Sequence, residues 1–175
     1  MDLDKQISLF SQSYENPTQH RDNFLLIQNL CAKIGLLEII TRNKIAQILQ
    51  ISDDDFVAKQ TLGFWCDTIN EHKIHNALIN LKSIDFKKYS RLNRKDKMRN
   101  YQKAIVAYAL FRTIRNRTFH FENLYKCNAN GTSRLSTCQI FGKVKVGVGI
   151  DSNKMEAFLD DMINAFDSEL GGYFR

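Results

Sequence analysis

The chain has 175 residues, 43% of them hydrophobic and 25% charged, with one proline and eight glycines. That length can bury a core, and so little Pro and Gly argues for long helices and against a turn-rich β fold. The net charge of +6 is unevenly spread: Lys87 to Arg117 holds eleven Lys or Arg against one acid, Asp96, so that stretch carries +10 and the remainder −4.

In chain order, residues 3–12 read as a short helix that the Asn16-Pro17-Thr18 stretch breaks. Asn23 or Asp22 is a candidate cap for the next helix, with Phe24, Ile27, Leu30, Cys31 and Ile34 as its buried stripe. Gly35 reads as a break or kink, after which Leu37, Ile40, Ile45, Ile48 and Leu49 resume helical spacing. Ser52-Asp53-Asp54-Asp55 is a strong helix start, a capping residue followed by acids that suit the positive end of the helix dipole. In Thr61-Leu62-Gly63-Phe64-Trp65, a glycine beside two large aromatics suits a close helix approach, and core packing is the plainer role for the rings. A further helical segment is expected over 71–82.

Residues 94–117 read as a central helix, apolar almost all round in its middle and basic at both ends. Asn128 to Ser133 is a loop by composition. Residues 135–141 and 143–150 form an expected β-hairpin about Gly142, because Val144, Val146, Val148 and Ile150 alternate with Lys and Gly. Asp151 or Ser152 then caps a last, acidic helix with Met155, Phe158, Leu159, Met162 and Phe166 inside. Those acids can face the basic region within or between chains. The whole, 1–175, reads as one mainly α domain with a small hairpin in 134–150.

No apolar run reads as a membrane span, and the Met1–Lys5 start is acidic, so no membrane contact is expected and the expected location is the cytoplasm. Cys31, Cys66, Cys127 and Cys138 form no CxxC pair, and reduced thiols suit a cytosolic chain. His72 and His75, three apart, would be neighbours on a helix, but nothing nearby completes a metal site. No metal or cofactor is expected.

Chemistry concentrates in Arg115-Asn116-Arg117-Thr118-Phe119-His120. Cutting RNA without a metal needs a base for the ribose 2′-OH, an acid for the leaving oxygen, and positive charge on the crowded phosphate. Histidine can serve in either proton role and arginine binds phosphate oxygens in bidentate fashion. Asn116 and His120 are four apart and share a helix face. Arg115 and His120 are five apart, about 140° around an ideal helix. They meet only if the helix ends between them or if two chains combine. One motif also supplies one histidine, and a two-fold dimer supplies two. Arg112 can add a phosphate contact. Tyr101 and Tyr108 either line the approach or pack. Lys95, Lys97, Arg99 and Lys103 are candidate RNA-backbone contacts, with a solvated helix face as the alternative.

The segment RNRTFHFENL resembles the RNxxxH form of the R-x4-6-H motif of the HEPN superfamily. Together with Thr61–Trp65 and Leu110–Arg117 upstream, it is similar to the Abi-like (abortive-infection) branch, which carries a GFW segment and an LRxxRNRxxHHE segment. The likeness covers residues 56–126. It implies a helical bundle, dimerisation through the motif region, and metal-independent endoribonuclease activity in phage defence or as a toxin, with an antitoxin or defence partner. By position, Arg115 and His120 would be the catalytic pair, Asn116 would orient the site and Glu122 would hold His120; Arg112, Arg117 and Tyr108 are further candidate supporting residues. Phe121 stands where a second histidine is common, and Asn123-Leu124 where a proline usually follows the acid. Two further readings stay open: a non-catalytic RNA- or protein-binding module, and a structural dimer joining the basic helix to a neighbour's acidic one.

Overall fold

The computed structural model describes residues 17–94, 97–167, 169 and 170. In order come α1 (Pro17–Leu49), α2 (Asp54–Lys59), α3 (Leu62–Glu71), α4 (His75–Leu78), a 3-10 turn (Phe86–Lys88), α5 (Asn100–Phe119), β1 (Ser136–Phe141), β2 (Val144–Gly149), a second 3-10 turn (Ser152–Lys154) and α6 (Met155–Phe166). The chain is mainly helical with one two-stranded antiparallel sheet near its C-terminal end. The helix expected over 3–12, along with Asn16 and Lys95, lies outside the described residues.

α1 is one unbroken helix of 33 residues, which corrects the two-part reading. Pro17 opens it, as suits a residue that lacks the N–H the first turn cannot use. Asn23 is therefore mid-helix rather than a cap, and Gly35 passes without a break. A single glycine costs a helix only about 1 kcal/mol. The buried stripe runs Asn23, Leu26, Ile27, Leu30, Ile34, Leu37, Thr41 and Ile45, while Phe24 faces outward and is 45% exposed. Over Thr18–Leu49 the helix has the length and composition of a membrane span, contrary to the sequence expectation, with only a third of that window buried. Between Asp22 and Arg42 its charged residues are Lys33 and Glu38. Both are paired inside the fold, Lys33 to Asp160 at 2.7 Å and Glu38 to Arg115 at 2.7 Å.

The side chains of Asp53 and Thr61 accept the N–H groups of Phe56 and Phe64, capping α2 and α3. The helix expected over 71–82 is cut short. Lys73 takes φ 53° and Ile74 N–H returns to the Ile69 carbonyl, which ends α3 and leaves only the single turn of α4. α1 ends in the same way at Gln50, with φ 56° and a bond from Ile51 N–H to the Ala46 carbonyl.

Irregular segments are tied by asparagine amides, which can donate and accept at once. Asn100 accepts from Leu81 N–H and donates to the Ile79 carbonyl. Buried Asn93 donates to the Phe86 and Gly149 carbonyls and accepts from Gly149 N–H. Asn23 donates to the Glu122 carbonyl at 3.1 Å and accepts from Leu124 N–H at 2.8 Å. These bonds pair backbone groups at the ends of elements and in the irregular stretches between them.

α5 begins later than the expected 94–117 and runs further, to Phe119. The hairpin forms as expected, with Phe141 paired to Val144 and Ser136 to Gly149. Gly142 takes φ 63° at the first turn position, which an L side chain resists. Val146, Val148 and Ile150 are buried, and Val144 at the turn is exposed. β1 lies along α5, and α6 packs on α1. The acids of α6 are satisfied within the chain, Glu156 and Asp160 by Lys33, and Asp161 by Lys88 and the Tyr89 hydroxyl.

Replacing Asn23 by Ala strands the buried Leu124 N–H and should cost roughly 1–3 kcal/mol. A urea melt reads this directly, and an unchanged midpoint would refute the importance of the tie.

Candidate active site

The motif segment occupies the last turn of α5 and its exit. His120 is the C-cap, and its N–H returns to the Asn116 carbonyl at 3.0 Å. Phe121 then takes φ 53°, and Glu122 N–H closes the helix onto the Arg117 carbonyl at 3.0 Å. This left-handed closure normally uses glycine. Asn23 seizes the backbone directly after it, so the direction in which the chain leaves His120 is fixed from α1. The imidazole of His120 is exposed, and among the described residues it has no hydrogen-bond or ion-pair partner.

Arg115 is held from two sides. Its Nε donates to Glu38 Oε1 at 2.7 Å, and its guanidinium lies 5.2 Å from the centre of the Phe119 ring. Nη1 makes a long contact, 3.5 Å, to Asn116 Oδ1. With Nε fixed and Nη1 in only a long contact, the guanidinium keeps N–H donors for an anion. Among the described residues no hydrogen bond joins Arg115 to His120, so the five-residue spacing is not closed within one chain.

The neighbours fall out differently from the expectation. Glu122 does not hold His120; its carboxylate lies 3.8 Å from Arg117 Nε. Arg117 is partly buried, and burial lowers its pKa, opposed by Glu122 and reinforced by Arg134. It faces away from Arg115, because two residues turn a helix by about 200°. Arg112 does reach the upstream block: a Cβ on Gly63 would sit 3.2 Å from its Nη2, and Asp67 Oδ1 is 3.8 Å from its Nη1. Gly63 thus gives Arg112 room to lie against α3. Tyr108 packs in the core rather than lining an approach to the motif. It is 4% exposed, its hydroxyl is bonded to Thr41 Oγ1 at 3.0 Å, and burial raises its pKa.

The basic residues are not gathered at the motif. Lys97 and Arg99 are exposed at the start of α5, about 30 Å of helix from His120 at 1.5 Å per residue. Lys103 is spent on the Lys82 and Ile84 carbonyls. His72 caps α3 in solvent, whereas His75 is buried and bonded through Nε2 to Asn70 Oδ1 at 3.0 Å. They do not converge. No group of three or more potential metal ligands occurs among the described residues. Burial pushes the Cys66 thiol up to about 12, opposed by Arg112, so it stays protonated. Cys127 and Cys138 are exposed free thiols.

Exposed rings flank the site. Phe119 and Phe121 lie either side of His120 at 46% and 58% exposure, and Phe121 stacks on Phe24 with centres 5.9 Å apart. A shallow, mostly apolar groove of about 610 Å³ runs beside them along α1, lined by Phe24, Leu25, Cys31 and Phe121 among others.

No known protein family, curated protein or solved structure matches the chain. The residue that sequence reasoning missed is Glu38. One signal could have pointed to it: an acid isolated in a long apolar helix needs a cationic partner if it is even half-buried.

Replacing Glu38 by Ala should leave stability within about 1 kcal/mol, as for a partly exposed pair, while releasing Arg115. The Arg115 Nε–H signal in an NMR spectrum should move to the position of an unpaired arginine; no movement would show that the pair does not persist in solution. For His75, burial holds the pKa below its ordinary value. The unfolded chain then binds the extra proton below pH ~6.5, so stability is full above that pH and is lost as the pH falls. Melts at pH 7.5 and 5 should show this slope, flattened in His75→Gln; equal slopes would refute it.

Proposed function

We propose that the chain is a metal-independent endoribonuclease of HEPN type, a helical bundle that cuts RNA at a site shared by two copies. The observation that carries this reading is the end of α5. Arg115 and Asn116 lie on its last turn with His120 as its C-cap, the guanidinium is oriented by Glu38, and among the described residues the exposed imidazole has no hydrogen-bond or ion-pair partner.

In this reading one His120 takes the proton from the ribose 2′-OH as O2′ bonds to phosphorus. The P–O5′ bond breaks, and the second copy's imidazole gives that oxygen a proton. Arg115 stabilises charge on the crowded phosphate. The products are a 2′,3′-cyclic phosphate and a 5′-hydroxyl. What supports the dimer is the unfilled Arg115–His120 spacing within one chain and the exposed rings of Phe24, Phe119 and Phe121 around His120. The acids of α6, by contrast, are already paired within the chain, which weighs against a dimer held by that helix. A cytoplasmic role in phage defence or as a toxin, with a neutralising or defence partner, follows from the motif resemblance.

The wild type should cleave RNA in EDTA and leave cyclic-phosphate ends. Loss of the proton carrier in His120→Ala should lower the rate by about 10²–10⁴-fold. Equal rates in both proteins, or cleavage only with added metal, would sink the proposal. RNA binding that weakens with salt and survives His120→Ala, without any cleavage, would instead mark a non-catalytic binding module.

A further inference from the structure

A polar cleft of about 290 Å³, apart from the apolar groove along α1, lies between α3, α4, α5 and β1. Its floor is α5, where Ile105, Ala109 and Arg112 follow one another at helical spacing. The same face continues four residues on to Asn116, about 6 Å further along the axis. The cleft therefore opens onto the helix face that leads to the motif. Asn70 of α3 forms one wall, and Thr137 and Gln139, alternate residues of β1, form the other.

The bonds already made in the cleft define what it still offers. His75 engages Asn70 Oδ1 at 3.0 Å, which turns that amide's NH2 group to other use. Gln139 Nε2 donates to Thr137 Oγ1 at 2.9 Å, leaving Gln139 Oε1 as an acceptor. Arg112 touches Asp67 only at 3.8 Å, so its guanidinium keeps its donors. A phosphate would want donors alone and would be repelled by Asp67. A planar heterocycle with both donors and acceptors on its edge suits the set, with its face on Ile105 and Ala109 and a guanidinium alongside. The volume lies at the lower end of small-ligand sites, about 300–1,000 Å³, which suits one base rather than a whole cofactor.

We propose that this cleft holds a single unstacked RNA base and so sets which nucleotide is presented at the motif, with Arg112 as a positioning residue. The proposal rests on the ribonuclease reading, and the experiment separates the two. The four ribonucleoside 5′-monophosphates and ribose 5-phosphate are titrated into His120→Ala protein while the side-chain amide signals of Asn70 and Gln139 are followed by NMR. The nucleotides should shift those signals with affinities that differ by base, and ribose 5-phosphate should not. Gln139→Leu, and Ala109→Leu, which fills the floor, should each weaken nucleotide binding at least tenfold. On RNA, the same substitutions should change the base preference at the cut about tenfold. Ribose 5-phosphate acting as well as the nucleotides, or binding unchanged in both variants, overturns the base cleft. Cleavage by the wild type with a base preference that neither variant alters overturns the cleft and leaves the ribonuclease standing. Nucleotide binding as expected with no RNA cleavage overturns the ribonuclease and leaves the cleft as a nucleotide site.

Discussion

Leu30, Ile34, Leu37, Thr41 and Ile45 of α1 have no exposed surface, and each of the other five helices is laid against α1. Burying an aliphatic side chain of this size is worth about 1.5–3 kcal/mol, so this stripe sets where the other elements can sit. It also carries polar groups inward. Thr41 meets the Tyr108 hydroxyl, and Asn23 meets the backbone beyond α5, so α1 fixes the depth of the motif helix at one point and its exit at another.

The candidate site follows from that arrangement. Glu38 lies within the same helix and reaches the guanidinium of Arg115, next to the motif's asparagine. α5 can end at His120 because Phe121 accepts a left-handed backbone and Asn23 satisfies the groups released after it. The turn at Phe121 also brings the Glu122 carboxylate back to 3.8 Å from Arg117 Nε. The hairpin adds a wall to the other face of α5, so both sides of the same helix carry polar clefts or edges.

Much of this was legible in the residues because local rules decide it. The alternation of Val146, Val148 and Ile150 and the glycine at 142 identify the hairpin, and the Ser52–Asp55 run marks the start of α2, although Asp53 rather than Ser52 is its cap. Arg115, Asn116 and His120 are close in sequence, so their shared helix end needed no long-range pairing. α1 was misread because apolar residues occupy two of its faces, and a stripe cannot be told from a fully apolar run by spacing alone. The 71–82 helix was lost to a left-handed Lys73 that no propensity announces. Lys103 and Lys97 looked alike as charges along a line, yet one is consumed by carbonyls and the other sits a helix length from the motif. Glu38 and Asn23 act through contacts that leave no periodic trace.

The bond between Asn23 and Leu124 also sets an order of events. Those residues stand 101 positions apart, and Glu38 and Arg115 stand 77 apart. Contacts of such separation form late, because the intervening loop must be closed before they can be rewarded. During synthesis the motif helix can coil as soon as it emerges, but its exit cannot be fixed until the chain has been made past residue 124. Full burial of α1 waits longer still, for α6. A partly made chain would therefore carry the motif residues without the contacts that hold them in place.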